Sequence, residues 1–483
     1  MKRQNRSREK SRAQPSRRQG AAPPPPARAA QAQTQAFQAV LVGGIVLRLL
    51  VFVYIGYFNN DNHLSVIEYV SRVWLPPRAA QFDQAYHPPL YYFLSAPLFL
   101  LGSLPVVQGL SLLLSILTLC LIAALLRRLP RLDEKLLPWC LALPAFHPQF
   151  IMFSLFISND TLAIFLGALV FYQSWRVQAA PSSGNCTLLG IFLGLGLLTK
   201  AVFLVFVLPL ILLVWSVVRR SDFPFTKVLA RVSVFAFIVT AVGCYKYVEN
   251  FAVYGNPLLS NLDFAPWAAE QRPTWIGLRS LLDFDIFKLV RNPIASVATA
   301  HSYPLMLYGS FWYSFVPDST FRGNLIPPFD RLGSIIYLLA LCPTVLSLIG
   351  ASRIVRSFAG LSFDRSAENE RAANRIIYDG ALLLTLLLNL FLVVSVGWRY
   401  DVWSVFQARL FFPSYFAILI AFSAGLEWSA QSRAHFALVR AFLFALFGVF
   451  LVYFLTEVYL TTRYPVSPLT LDHMPYKIDM NAR

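Results

Sequence analysis

Long apolar stretches recur along almost the whole chain, and nothing constrains its fold more tightly. Eleven stand out, at about 37–58, 104–126, 137–157, 161–178, 187–199, 201–218, 228–248, 332–352, 377–397, 409–427 and 438–459. A run of about 20 apolar residues crosses roughly 30 Å of hydrocarbon as a helix. Only 13% of the 483 residues are charged, against 57% apolar. A soluble chain of this size needs about twice that charge. The pattern predicts an all-α integral membrane protein, a polytopic bundle of about eleven transmembrane helices with loop helices outside the membrane. An outer-membrane barrel is excluded, since it shows alternating segments of about ten residues. The proline-rich 88–103 stretch reads as a re-entrant or interfacial helix.

The net charge of +17 does not indicate nucleic-acid binding. Nine of the basic residues lie in 1–36 against a single acid, Glu9. That segment has almost no large apolar side chains and a proline run, so it cannot offset its ordering entropy and is expected to be a disordered cytoplasmic tail. It is no cleavable signal peptide, because the apolar stretch that follows is too long. With the tail inside, Lys and Arg gather in each expected inner loop. They are Arg127, Arg128, Arg131 and Lys135; Arg176; Arg219, Arg220, Lys227 and Arg231; Arg353, Arg356, Arg365, Arg371 and Arg375; and Arg433 and Arg440. That is the bias inner loops carry. The transmembrane domain then covers 37–460, with outer loops at 59–88 and 249–331, and 461–483 ends outside.

The unusual polar residues collect on the outer face, so an active site is expected there. Asp61 lies just beyond the first span, followed by His63, Glu68, Asp83 and His87 in one loop. A carboxylate at a membrane–water boundary is partly desolvated, which makes it a better base. Two readings stand for Asp61: general base, or N-cap of a loop helix. Asp83 is the second candidate base. Glu68 is seven residues from Asp61, a spacing that puts both on one helix face. Asp160, after Ser158 and Asn159, opens a span as either a cap or a site residue. Lys200 and Arg409 sit at outer helix ends, where each either holds an anionic group or snorkels to the interface. Asn159 and Asn250 are candidate substrate-binding residues. Phe311, Trp312, Tyr313 and Phe315 read as an interfacial belt or a stacking surface. Asp61, His63 and His87 lack the spacing of a metal site, so neither a metal nor a cofactor is expected. The cysteines at 120, 140, 186, 244 and 342 read as small buried hydrophobes. Neither GxxxxGK[ST] nor GxGxxG occurs, so nucleotide-driven chemistry is unsupported.

Several stretches together resemble a known group. They are Asp61 after the first span, His87-Pro88-Pro89-Leu90-Tyr91-Tyr92, Ser158-Asn159-Asp160-Thr161-Leu162-Ala163, Gly194-Leu195-Gly196-Leu197-Leu198-Thr199-Lys200, Glu249-Asn250 with Tyr254-Gly255-Asn256-Pro257, and Gln407-Ala408-Arg409-Leu410-Phe411-Phe412-Pro413. In order and side they resemble the multi-spanning C-type glycosyltransferases, more narrowly the group of protein O-mannosyltransferases and lipid A aminoarabinose transferases. Two positions depart from the pattern: Asn62 follows Asp61, and Glu249 precedes Asn250.

The resemblance implies transfer of a sugar from a polyprenyl-phosphate donor to a glycan, lipid or protein acceptor on the extracytoplasmic face, with inversion. It implies a plasma (inner) membrane location, or the endoplasmic reticulum membrane in a eukaryote. The rival class is a lipid or solute transporter or flippase. A transporter calls for related halves and mid-membrane charges, whereas this chain shows no internal repeat and polar residues concentrated at one face.

Overall fold

The computed structural model describes residues 27–54, 62–102, 104–129, 132–221, 223–260, 263–264, 278–293, 302–313, 331–360, 367–400 and 407–463. Asp61 and Phe315 lie outside them. Helices dominate the described residues, and none forms a strand. In chain order they are α1 (Ala27–Tyr54), α2 (His63–Val73), α3 (Leu90–Leu100), α4 (Leu104–Leu126), α5 (Leu137–Phe146), α6 (Pro148–Phe153), α7 (Asn159–Ala179), α8 (Ser183–Leu197), α9 (Leu204–Arg220), α10 (Phe225–Gly243) and α11 (Tyr245–Tyr254). Then come the short α12 (Leu278–Leu282) and α13 (Ile286–Arg291), α14 (Tyr303–Trp312), α15 (Arg331–Ala359), α16 (Ala367–Tyr400), α17 (Tyr415–Ser429) and α18 (Arg433–Arg463).

The chain is a multi-pass membrane protein. Eight described helices are long and apolar enough to cross a bilayer. The expected count of eleven is not reproduced, and each shortfall has a local cause. The 137–157 stretch breaks at His147, because Pro148 has no N–H to continue the ladder of α5. The 161–178 stretch forms α7 over 21 residues, but that helix carries Asn159, Asp160, Gln173 and Arg176. The 187–199 stretch yields only the 15 residues of α8. At the other end of the chain α1 starts before position 37, drawn out by the Ala- and Gln-rich segment that precedes the apolar run.

Apolar contacts alone cannot drive association between helices already in lipid, so close approach and buried hydrogen bonds set the packing. Helices α15 and α17 cross where Gly350 faces the Ala421 carbonyl and Gly425 faces the Leu346 carbonyl. A side chain at either position would overlap backbone. On α4, the buried Gln108, Ser111 and Ser115 reach across to the strip between α6 and α7. Gln108 Nε2 donates to the Leu155 carbonyl at 3.2 Å, Ser111 Oγ to the Phe156 carbonyl at 2.7 Å, and the Ser115 and Ser154 hydroxyls meet at 2.6 Å. From the other side Thr161 donates to the Phe156 carbonyl at 2.9 Å. This ladder fixes the segment from which Ser158, Asn159 and Asp160 project.

Candidate active site

Helix α7 begins with a side-chain cap. The Ser158 backbone is extended, and its hydroxyl accepts from the Asp160 N–H at 3.2 Å. Ser158, not Asp160, therefore caps α7, and the Asp160 carboxylate is left for other partners. Both of its oxygens meet cations. Lys200 Nζ is ion-paired with Oδ1, and Arg409 Nη1 lies 3.6 Å from Oδ2. Asp160 is 2% exposed and Lys200 8%, so the ammonium turns inward instead of snorkelling. The guanidinium of Arg409 also stands over the Phe153 ring, 5.5 Å from its centroid. Among the described residues, two cations thus face one carboxylate in a largely buried site.

Local sequence explains how three distant segments converge here. Lys200 follows the end of α8, where Leu198, Thr199 and Lys200 N–H groups turn back onto the Gly194 and Gly196 carbonyls. Arg409 lies in the 3-10 segment Ala408–Ser414, whose Ala408 N–H donates to Ser310 Oγ at 2.9 Å. Asn389 of α16 holds the same segment through the Leu410 carbonyl at 3.0 Å and Ser414 Oγ at 3.2 Å. Asn159 is fully buried and donates to the Thr199 carbonyl at 3.4 Å, tying α7 to the Lys200 turn.

The first loop joins the cluster through its histidines. Ser158 Oγ donates to Asp160 Oδ2 at 3.3 Å and lies 3.1 Å from His63 Nε2. Tyr92 donates to the Gln84 carbonyl at 3.2 Å, and its oxygen lies 2.9 Å from His63 Nδ1. His87 stacks on His63 with ring centroids 5.9 Å apart and planes at 22°. Burial, with Lys200 and His63 nearby, pushes the His87 imidazole well below the ordinary histidine value, so it is neutral near pH 7.

The structure thus brings together His63, His87, Asn159, Asp160, Lys200 and Arg409. Three other residues singled out in the sequence stand apart. Glu68 faces outward on α2 and pairs with Arg72 at 2.5 Å, both side chains well exposed. Asp83 is exposed. Asn250 is buried on α11 and donates to the Pro257 carbonyl at 3.5 Å. Asn62, in the left-handed region at φ 54°, occupies the N-cap position of α2. Phe311, Trp312 and Tyr313 form no interfacial belt. The first two pack on the His147 ring, and Tyr313 is buried against Tyr337 and Tyr453. Among the described residues no group of acidic, histidine or cysteine side chains has the makings of a metal site.

Residues 82–255 match the family model described as dolichyl-phosphate-mannose-protein mannosyltransferase. No curated protein matches the chain. Among solved structures, ArnT from Cupriavidus metallidurans in the apo state is 14% identical, with 83% of this chain and 80% of that one covered at a TM-score of 0.35. The same enzyme bound to undecaprenyl phosphate gives 14% identity, 83% and 79% coverage and a TM-score of 0.36. The matched segment holds His87, Asn159, Asp160, Lys200 and Asn250, and over it the chain is similar to that family, which bears out the resemblance read from the sequence.

Proposed function

We propose that the chain transfers a sugar from a polyprenyl-phosphate carrier to an acceptor on the extracytoplasmic face. The cluster of Asp160, Lys200 and Arg409 carries this reading. A polyprenyl-phosphate sugar is a phosphodiester with one negative charge, a suitable ligand for the two cations of the cluster. When the bond from the anomeric carbon to the phosphate oxygen breaks, the leaving phosphate monoester gains negative charge. Lys200 and Arg409 then stabilise it by charge-assisted hydrogen bonds, with no acid required. Asp160 keeps the two cations oriented and mutually tolerable while the donor is absent. The family match supports the donor class, since the family's description names a polyprenyl-type phosphate carrier.

The acceptor's hydroxyl or amine forms the new bond to the anomeric carbon as the phosphate leaves, and its proton passes to a carboxylate. Asp61 is assigned this role from its place before α2, with Asp83 as the alternative on the same loop. One displacement gives one inversion. His63 and neutral His87 line the same cluster, and Asn159 is assigned to the sugar. The basic residues of the expected inner loops support a cytoplasmic N-terminal tail and a site on the extracytoplasmic face, in the plasma (inner) membrane or, in a eukaryote, the endoplasmic reticulum membrane.

Polyprenyl phosphate binding to purified protein in nanodiscs tests the reading. Lys200→Ala and Arg409→Ala are each expected to weaken binding by about ten- to a hundred-fold, the loss of one charge-assisted contact of roughly 1.5–3 kcal/mol. Wild-type affinity in the double variant would reduce both residues to structural ion-pair partners.

A further inference from the structure

Arg48 lies well inside α1, in the run Gly43–Phe52, and its side chain is fully buried. An ionisable residue at such depth is costly and rarely idle. Among the described residues it has no carboxylate partner. Its guanidinium is instead surrounded by oxygens of neutral groups. Nη2 donates to the Pro144 carbonyl at 2.9 Å, Nη1 to the Ala145 carbonyl at 3.2 Å and to Gly44 of its own helix at 3.0 Å, and Nε to Ser115 Oγ at 2.9 Å. Two of these acceptors, the Pro144 and Ala145 carbonyls, have a common origin. Pro148 has no N–H, so the Pro144 carbonyl loses its helical donor just where α5 ends. The end of a helix carries partial negative charge, and in a dry interior that charge persists. Arg48 supplies both the missing donors and the counter-charge.

Two contact paths run from Arg48 to Arg409. In the first, the capped end of α5 leads directly into His147. The His147 ring meets Tyr415 Oη at 3.1 Å through Nδ1 and the Phe311 carbonyl at 2.5 Å through Nε2. Tyr415 adjoins the 3-10 segment that carries Arg409. In the second, Ser115 passes the contact to Ser154 at 2.6 Å, and the neighbouring Phe153 ring supports the Arg409 guanidinium. We infer that Arg48 is a positioning residue for the donor-phosphate site: by capping the broken α5 inside the membrane it sets the placement of Arg409 against Asp160. The inference rests on the reading of Arg409 as a phosphate ligand.

A double-mutant cycle on polyprenyl phosphate binding in nanodiscs tests it. Arg48→Met is expected to weaken binding about tenfold in the wild-type background and to have no further effect in Arg409→Ala. Arg48→Lys, which cannot reach all the acceptors from one ammonium, is expected to recover only part of the loss. Should Arg48→Met fail to fold, Ser115→Ala removes one acceptor and the link to Ser154 while the cation stays, and a loss of a few-fold is expected, again absent in Arg409→Ala. Folded Arg48→Met or Ser115→Ala protein with wild-type affinity, or losses that simply add to that of Arg409→Ala, would overturn the inference. Wild-type affinity in Arg409→Ala itself would overturn the donor reading, and the inference with it.

Discussion

Replacing Asp160 by asparagine isolates the charge balance of the site. The side chain keeps its size and can still accept a hydrogen bond from Ser158, but the two cations lose the carboxylate they share. At 3.6 Å and an effective dielectric near 20, the lost attraction to Arg409 alone is about 4–5 kcal/mol before solvation is counted. With Lys200 and Arg409 side chains only 10% and 13% exposed, water cannot replace the carboxylate fully. Removing one partner of a buried ion pair costs about 3–5 kcal/mol, most of it the penalty of the abandoned charge. Asp160→Asn is therefore expected to lose that much stability without ligand. Adding Lys200→Met should restore part of it, because the second substitution removes a charge that no longer has a partner. Polyprenyl phosphate supplies the missing negative charge. Its stabilising effect should be larger in Asp160→Asn than in wild type, by about 1.4 kcal/mol for each tenfold gain in affinity. Thermal unfolding of detergent-purified protein, with and without polyprenyl phosphate, reads all three values. An Asp160→Asn protein as stable as wild type, or one that phosphate stabilises no more than wild type, would refute the reasoning.

Other substitutions probe separate parts of the account. Asp61→Asn should fold normally and lower sugar transfer by about 10²–10⁴-fold, the range for a positioned base; near-normal turnover there with inactive Asp83→Asn would move the base to the other end of the loop. The His87 imidazole titrates well below its unfolded value, so below about pH 6.5 the unfolded chain binds the proton that the folded chain refuses. Stability should fall as pH drops from about 6.5, and His87→Gln should flatten that part of the stability–pH curve. Gly425→Val should separate α15 from α17 and lower the unfolding temperature, whereas Gly448→Ala, where an added methyl meets nothing, should leave it unchanged.

Much of the site could be read before the fold, because its signals are local. The Ser-Asn-Asp sequence announces a helix start, and the Thr-Lys and Ala-Arg stretches each announce a cation at a helix end. Pairing across distance could not be read. Whether Asp160 caps its own helix or binds Lys200 depends on Ser158 taking the cap, and whether Lys200 snorkels depends on a carboxylate 40 residues away in sequence. The span count of eleven was not reproduced for a related reason. Hydropathy over 137–157 is continuous, and only the missing N–H of Pro148, one residue after His147, divides it. That signal was present in the sequence, as was an arginine within the first apolar run. Both became meaningful once Arg48 and the Pro144 carbonyl were seen together.

Transfer from a phosphate carrier held by Lys200 and Arg409 can be measured with purified protein and a panel of polyprenyl-phosphate sugars, following free polyprenyl phosphate and the anomeric configuration of the product. Release of polyprenyl phosphate coupled to a product of inverted configuration, abolished in the Lys200→Ala/Arg409→Ala double variant, is the expected result. A product that retains the donor's configuration, or turnover undiminished in the double variant, would contradict it.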